Sequence, residues 1–104
     1  MEKFDIIPGR DPHTALTDVA HNESPRCRLL VSDLNINDVY EGESLLPVQI
    51  FDYTDPHDGF YYWAEITLVE RFESGDFNHV MEDCWKWWLA NEIAKREMQN
   101  LSDD

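Results

Sequence analysis

The chain has 104 residues, of which 42% are hydrophobic and 12% aromatic, and 22 acids against 8 bases give it a formal charge of -14. That length fits one domain able to bury a core without disulfide or metal staples, and that apolar content excludes an intrinsically disordered chain. The charge repels nucleic acid and anionic membrane, so direct binding to either is excluded as the expected activity and a basic protein is the favoured partner.

In chain order, residues 1 to 10 read as an extended arm, and the stretch MEKFDIIPGRDPH lacks the apolar segment of a secretory leader. Asp11-Pro12 carries an N-cap and first-turn pattern. Ala15, Leu16, Val19 and Ala20 then recur at helical spacing, which predicts a short amphipathic helix from Pro12 to about His21. Ser24-Pro25 interrupts it. RCRLLVSDL (26–34) has the length and composition of a strand, NINDVYEGES (35–44) is turn-rich, and LLPVQIFDY (45–53) reads as a second strand with Pro47 near its start or at a sheet edge.

After the turn TDPHDG, the run FYYWAEITLVERF (60–72) is the strongest strand. Phe60, Tyr62, Ala64, Ile66 and Leu68 fall on one face, expected to meet the core. Tyr61, Trp63, Glu65, Thr67, Val69 and Arg71 fall on the other, expected to be half covered. Ser74 or Asp76 caps a helix running to about Asn100. Phe77, Val80, Met81, Cys84, Trp85, Trp88 and Leu89 form one apolar stripe on it, with Trp87 at the rim and Lys86 opposite. Residues 101–104 read as a frayed tail. The expected fold is a single α+β domain over 1–104: a small antiparallel sheet of about three strands, packed on a long C-terminal helix, with a short N-terminal helix. No window approaches the ~18 apolar residues of a membrane span.

No stretch carries a catalytic signature. A phosphate-cradling glycine loop, a nucleophile elbow and a zinc-protease helix are all absent from the sequence. His57 among Asp55, Pro56 and Asp58 could ligate a metal, but those residue types are what a hairpin turn requires. His79 with Asp83 has chelating spacing on a helix, yet points from the polar face and lacks further ligands. Cys27 and Cys84 are far apart in sequence and read as reduced, buried thiols of a cytoplasmic protein. Neither a cofactor nor a metal is expected, and catalysis is the lesser class beside binding.

The charge distribution is more informative. From Leu29 to Glu70 there is no Lys or Arg, while Asp33, Asp38, Glu41, Glu43, Asp52, Asp55, Asp58, Glu65 and Glu70 supply nine acids. A solubility surface would explain some of this. Closely spaced carboxylates also resemble a row of phosphates, and Tyr and Trp beside them make rigid binding anchors. The expected contact surface is therefore Asp33, Asp38, Glu41, Glu43, Asp52, Asp55 and Asp58, with Tyr40, Tyr53 and Trp63 as anchors. In composition the chain is similar to small acidic counter-defence proteins of phages and plasmids. That resemblance of type implies an inhibitor of a basic, nucleic-acid-handling protein. The alternatives are an immunity protein or antitoxin against a basic nuclease, an assembly subunit docking through its last helix, and a small metal-binding or catalytic domain.

Overall fold

The computed structural model describes residues 2–10, 15–36 and 48–102. Five strands precede one helix: β1 (Phe4–Ile7), β2 (Leu16–His21), β3 (Cys27–Ser32), β4 (Val48–Thr54), β5 (Tyr61–Arg71) and α1 (Phe77–Ser102). The strands form one sheet in the order β1-β2-β3-β5-β4, antiparallel at every step. The α+β class and the long C-terminal helix agree with expectation. Two parts of the expected fold are overturned: the sheet has five strands rather than about three, and no short N-terminal helix is present among the described residues.

The segment expected as that helix is β2 from Leu16 onward, and the physical reason lies in the sheet's two buried faces. Val19 joins the core beneath α1, whereas Leu16 joins a second core on the opposite face with Leu30 and Ile36. Two apolar residues three apart therefore serve two faces of a strand, and together imitate the spacing of one helical face. β1 lies within the expected arm. Its four residues include only one that is buried, Phe4, which is too little pattern to mark a strand.

The main core lies between the sheet and α1. Val19, Leu29, Val31, Ala64, Ile66 and Leu68 from the strands meet Val80, Met81, Cys84 and Trp85 from the helix. The β3–β5 ladder shifts register between Arg28 and Leu29, where Arg28 pairs with Glu70 and Leu29 with Leu68. This bulge removes Val69 from the ladder, and its side chain packs with the second core. Glu65 and Thr67, expected on a half-covered face, are buried there as well.

The helix begins as its sequence suggests. Asp76 Oδ1 accepts the His79 backbone N–H at 3.2 Å, an N-cap bond. The connection entering it lies on the β2–β3 turn, held by Glu73 Oε1, which accepts the Arg26 N–H at 2.8 Å. A Cβ at Gly75 would stand 2.5 Å from the Pro25 ring, so the close approach requires glycine.

Candidate functional site

The turn joining β4 and β5 holds two of the four described acids of the expected contact surface, Asp55 and Asp58. Asp55 Oδ1 accepts the His57 N–H at 2.8 Å, and Asp58 Oδ1 accepts the Phe60 N–H at 2.9 Å. The Gly59 N–H closes onto the Asp55 carbonyl at 2.8 Å, with Gly59 at a φ of 74° that favours glycine. Asp58 Oδ2 accepts from the Arg96 guanidinium, whose carbon sits 3.9 Å from the Phe60 ring centroid. The hairpin tip is thereby pinned to α1. The Phe60 N–H, reinforced by Arg96, holds the Asp58 carboxyl below its ordinary value.

Asp52 and Trp63 are cross-strand partners on the face away from α1. Tyr61 O–H donates to Asp52 Oδ2 at 2.9 Å, and this bond to a carboxylate raises the phenol's pKa. Tyr53 lies on the other face opposite Tyr62, with ring centroids 6.4 Å apart. Asp33 is exposed just beyond β3. Asp38, Tyr40, Glu41 and Glu43 lie outside the described residues. The expected surface is thus distributed over two sheet faces and the hairpin tip.

The three clustered tryptophans of α1 divide by their packing. Trp85 is buried and stacks on Phe51, with centroids 5.7 Å apart and planes 14° from parallel. Trp87, at the rim of the helical stripe, packs on Phe4 of β1 at 5.6 Å. Trp88 is half-buried beside a cleft between β5 and α1, with Lys95 Nζ 6.0 Å from its ring centroid.

Every cation in the chain is engaged within the fold. Lys3 pairs with Asp83 at 2.9 Å, Arg10 with Asp18 at 2.6 Å, and Arg26 with Glu73 at 4.0 Å. Arg28 bridges Asp18 at 3.7 Å and Glu70 at 3.6 Å, Lys86 meets Glu82 at 3.7 Å, and Lys95 meets Glu92 at 3.5 Å. Arg96 takes Asp58, and Arg71 lies over the Phe77 ring at 5.4 Å. Exposed pairs of this kind contribute little to stability. Their consequence is electrostatic: seven of the eight bases are compensated by the chain's own acids, while Glu23, Asp33, Asp52, Asp55, Asp76 and Glu97 stand in no ion pair among the described residues.

The Asp83 carboxyl is likewise lowered, chiefly by the Lys3 ammonium that donates to it. Asp58 and Asp83 bind protons less readily folded than unfolded. Their stabilisation is therefore present above the ordinary carboxylate value near ~4 and lost as pH falls through the depressed native values. Self-repulsion works in the other direction, because partial protonation between pH ~7 and ~5 reduces the negative surplus. Thermal melting across pH ~3 to ~8 is expected to show maximal stability near pH ~5. A midpoint that climbs steadily up to pH ~8 would contradict it.

Among the described residues, no three or more His, Cys, Asp or Glu come together in a metal-binding arrangement. His57 sits exposed on the hairpin. His79 Nε2 is 3.4 Å from Asp83 Oδ2, the oxygen that also accepts from Lys3. Among the described residues, no helix is long and apolar enough to cross a membrane. Both cysteines are free and buried, and burial raises the Cys27 thiol to about 11 and Cys84 to about 12. At pH ~8 the Cys27 thiolate is then ~100-fold scarcer than in a free thiol, and access is closed besides. A disulfide-exchange reagent is expected to label neither thiol in buffer and both in urea; rapid labelling of the native protein would contradict this.

Sequence reasoning missed two buried polar side chains, Asp18 and His21. Asp18 is buried on the face away from α1 and forks Arg10 through two bonds, of 2.6 and 3.1 Å. His21 is buried beneath Phe4 and donates from Nδ1 to the Pro25 carbonyl at 2.8 Å. The signal available was the presence of Asp18 and His21 in a short apolar run, one on each face once that run is read as a strand. Comparison with protein-family models, with curated proteins and with solved structures finds no match to this chain.

Proposed function

We propose that this protein is an inhibitor that binds a basic, nucleic-acid-handling protein through an acidic surface, occupying the ground that phosphates would take. The observation that carries this reading is the pairing of seven of the eight bases with the chain's own acids, with Arg71 lying over the Phe77 ring, which leaves the outward field predominantly negative. Such a field steers and orients a cationic partner. The acids between Asp33 and Asp58 supply the charge, and Trp63 beside Asp52 supplies rigid apolar area on the same face. The turn hydrogen bonds at Asp55 and Asp58 hold those carboxylates in place before binding, which lowers the ordering cost.

Immobilised protein, challenged with host lysate at about 50 mM and about 300 mM NaCl, tests this reading. Retention of a basic nucleic-acid-binding protein at low salt, released at high salt, is expected. Release should follow equally from a variant carrying Asp33→Asn, Asp52→Asn and Asp55→Asn. A catch indifferent to salt and to these substitutions would overturn the acidic-surface mechanism.

A further inference from the structure

We propose that the cleft between the N-terminal end of β5 and α1 is an anchor pocket for an arginine side chain of the partner. Its position follows from unequal strand lengths. The β3–β5 ladder ends at Ser32 opposite Glu65, whereas β4 continues beside β5 to Thr54 opposite Tyr61. Among the described residues, Tyr61–Ala64 therefore have a strand on one side only, and α1 passes over this stretch with Trp85, Trp88 and Glu92.

The cleft encloses about 220 Å³, and of the nine described residues that line it six are aromatic, two are acidic and none is Lys or Arg. That volume lies below the ~300–1,000 Å³ of sites built for whole small molecules, so a single side chain is the fitting occupant. Aromatic faces with carboxylates select a cation, and a planar guanidinium both stacks on a ring and forks a carboxylate. The chain's own cations already use these aromatic surfaces, Arg96 on Phe60 and Lys95 near Trp88, but each is tied to its own acid, Asp58 and Glu92. Among the described residues Asp33 stands in no ion pair, and it is the carboxylate left for an incoming group. A second cleft of about 290 Å³ shares Asp33 and Trp88 and continues toward Thr17 and Val31, giving room for the main chain that carries the arginine.

The partner's identity as a basic protein rests on the function proposed above, but the pocket can be probed without it. N-acetyl-arginine amide, titrated into the intact protein and followed by tryptophan side-chain N–H resonances, is expected to shift the Trp88 signal saturably. N-acetyl-citrulline amide, neutral and nearly isosteric, should bind about tenfold more weakly or worse. Asp33→Asn, a surface change that leaves the core intact, should weaken arginine binding roughly fivefold, Trp88→Leu should weaken it about tenfold, and Glu23→Gln, on the exposed β2–β3 turn at the far end of the strands, should leave it unchanged. Equal binding of the two amides, no saturation by about 50 mM, or indifference to Asp33→Asn would overturn the pocket. If the lysate experiment yields its salt-sensitive partner while the amide fails, the pocket is wrong and the acidic-surface reading stands. If the amide binds and no basic partner is retained, the pocket stands and that reading fails.

Discussion

Trp85→Ala is expected to destabilise the protein by about 3–5 kcal/mol, the range for deleting a large aromatic side chain from a packed core. Trp85 is 8% exposed, lies in the cluster that joins the sheet to α1, and stacks on Phe51 of the edge strand β4. Its removal opens a cavity where the helix holds the outermost strand, and loses the ring pair as well. Domains of this size have about 5–15 kcal/mol in total, so the variant would sit close to unfolding at physiological temperature. Lys86→Ala, one residue along but exposed and paired with Glu82 at i−4, should change stability by no more than about 0.5 kcal/mol. Urea unfolding of both variants measures the contrast. A Trp85→Ala cost under about 1 kcal/mol would show that the stripe does not carry the fold.

Asp18→Ala is expected to cost about 2 kcal/mol, because a buried carboxylate that two guanidiniums share is lost. The Asp18 side chain is 9% exposed and takes two bonds from Arg10 and a longer contact from Arg28. Its loss removes the carboxylate that the two guanidiniums share on one sheet face, and leaves the exposed Glu70 beside Arg28. Breaking a fully buried pair costs about 3–5 kcal/mol, but Arg10 and Arg28 are 30% and 38% exposed, so water screens part of the loss. Asp18→Asn should lose less, because an amide oxygen still accepts from Arg10. The gap between wild type and Asp18→Ala should narrow in about 1 M NaCl, where the screening length falls to about 3 Å. An unchanged midpoint in the alanine variant would contradict the network.

Much of the fold was legible where one face of an element is buried and the pattern is long. β5 placed Tyr62, Ala64, Ile66 and Leu68 on the core side as its alternation implied, and α1 buried Val80, Met81, Cys84 and Trp85 on its stripe. Phe60 is the exception on that face, because it precedes the strand and is taken up by Arg96 at the hairpin tip. Legibility failed where both faces are buried. Leu16 and Val19 serve opposite cores, and that two-sided burial turned a strand into an apparent helix. It failed again at β1, whose pairing with β2 is a long-range event that four residues do not announce. The turn chemistry of Asp55, Asp58 and Gly59 was readable from residue types alone. The hold of Arg96 on Asp58 was not, since it joins residues far apart in the chain that only the packing of α1 brings together. For the candidate surface, the base-free segment from Leu29 to Glu70 was visible in the sequence, whereas its division between two sheet faces required the register of β4 on β5.

An inhibitor that takes the place of phosphates displaces nucleic acid from its partner, and a gel shift measures that displacement directly. The basic protein retained at low salt is bound to its own DNA or RNA, and the acidic protein is titrated into that complex at about 50 mM and about 300 mM NaCl. Release of the nucleic acid at near-equimolar protein in low salt is expected, with potency falling steeply at high salt and after Asp33→Asn, Asp52→Asn and Asp55→Asn are combined. Nucleic acid that stays bound at saturating acidic protein in low salt would contradict the claim.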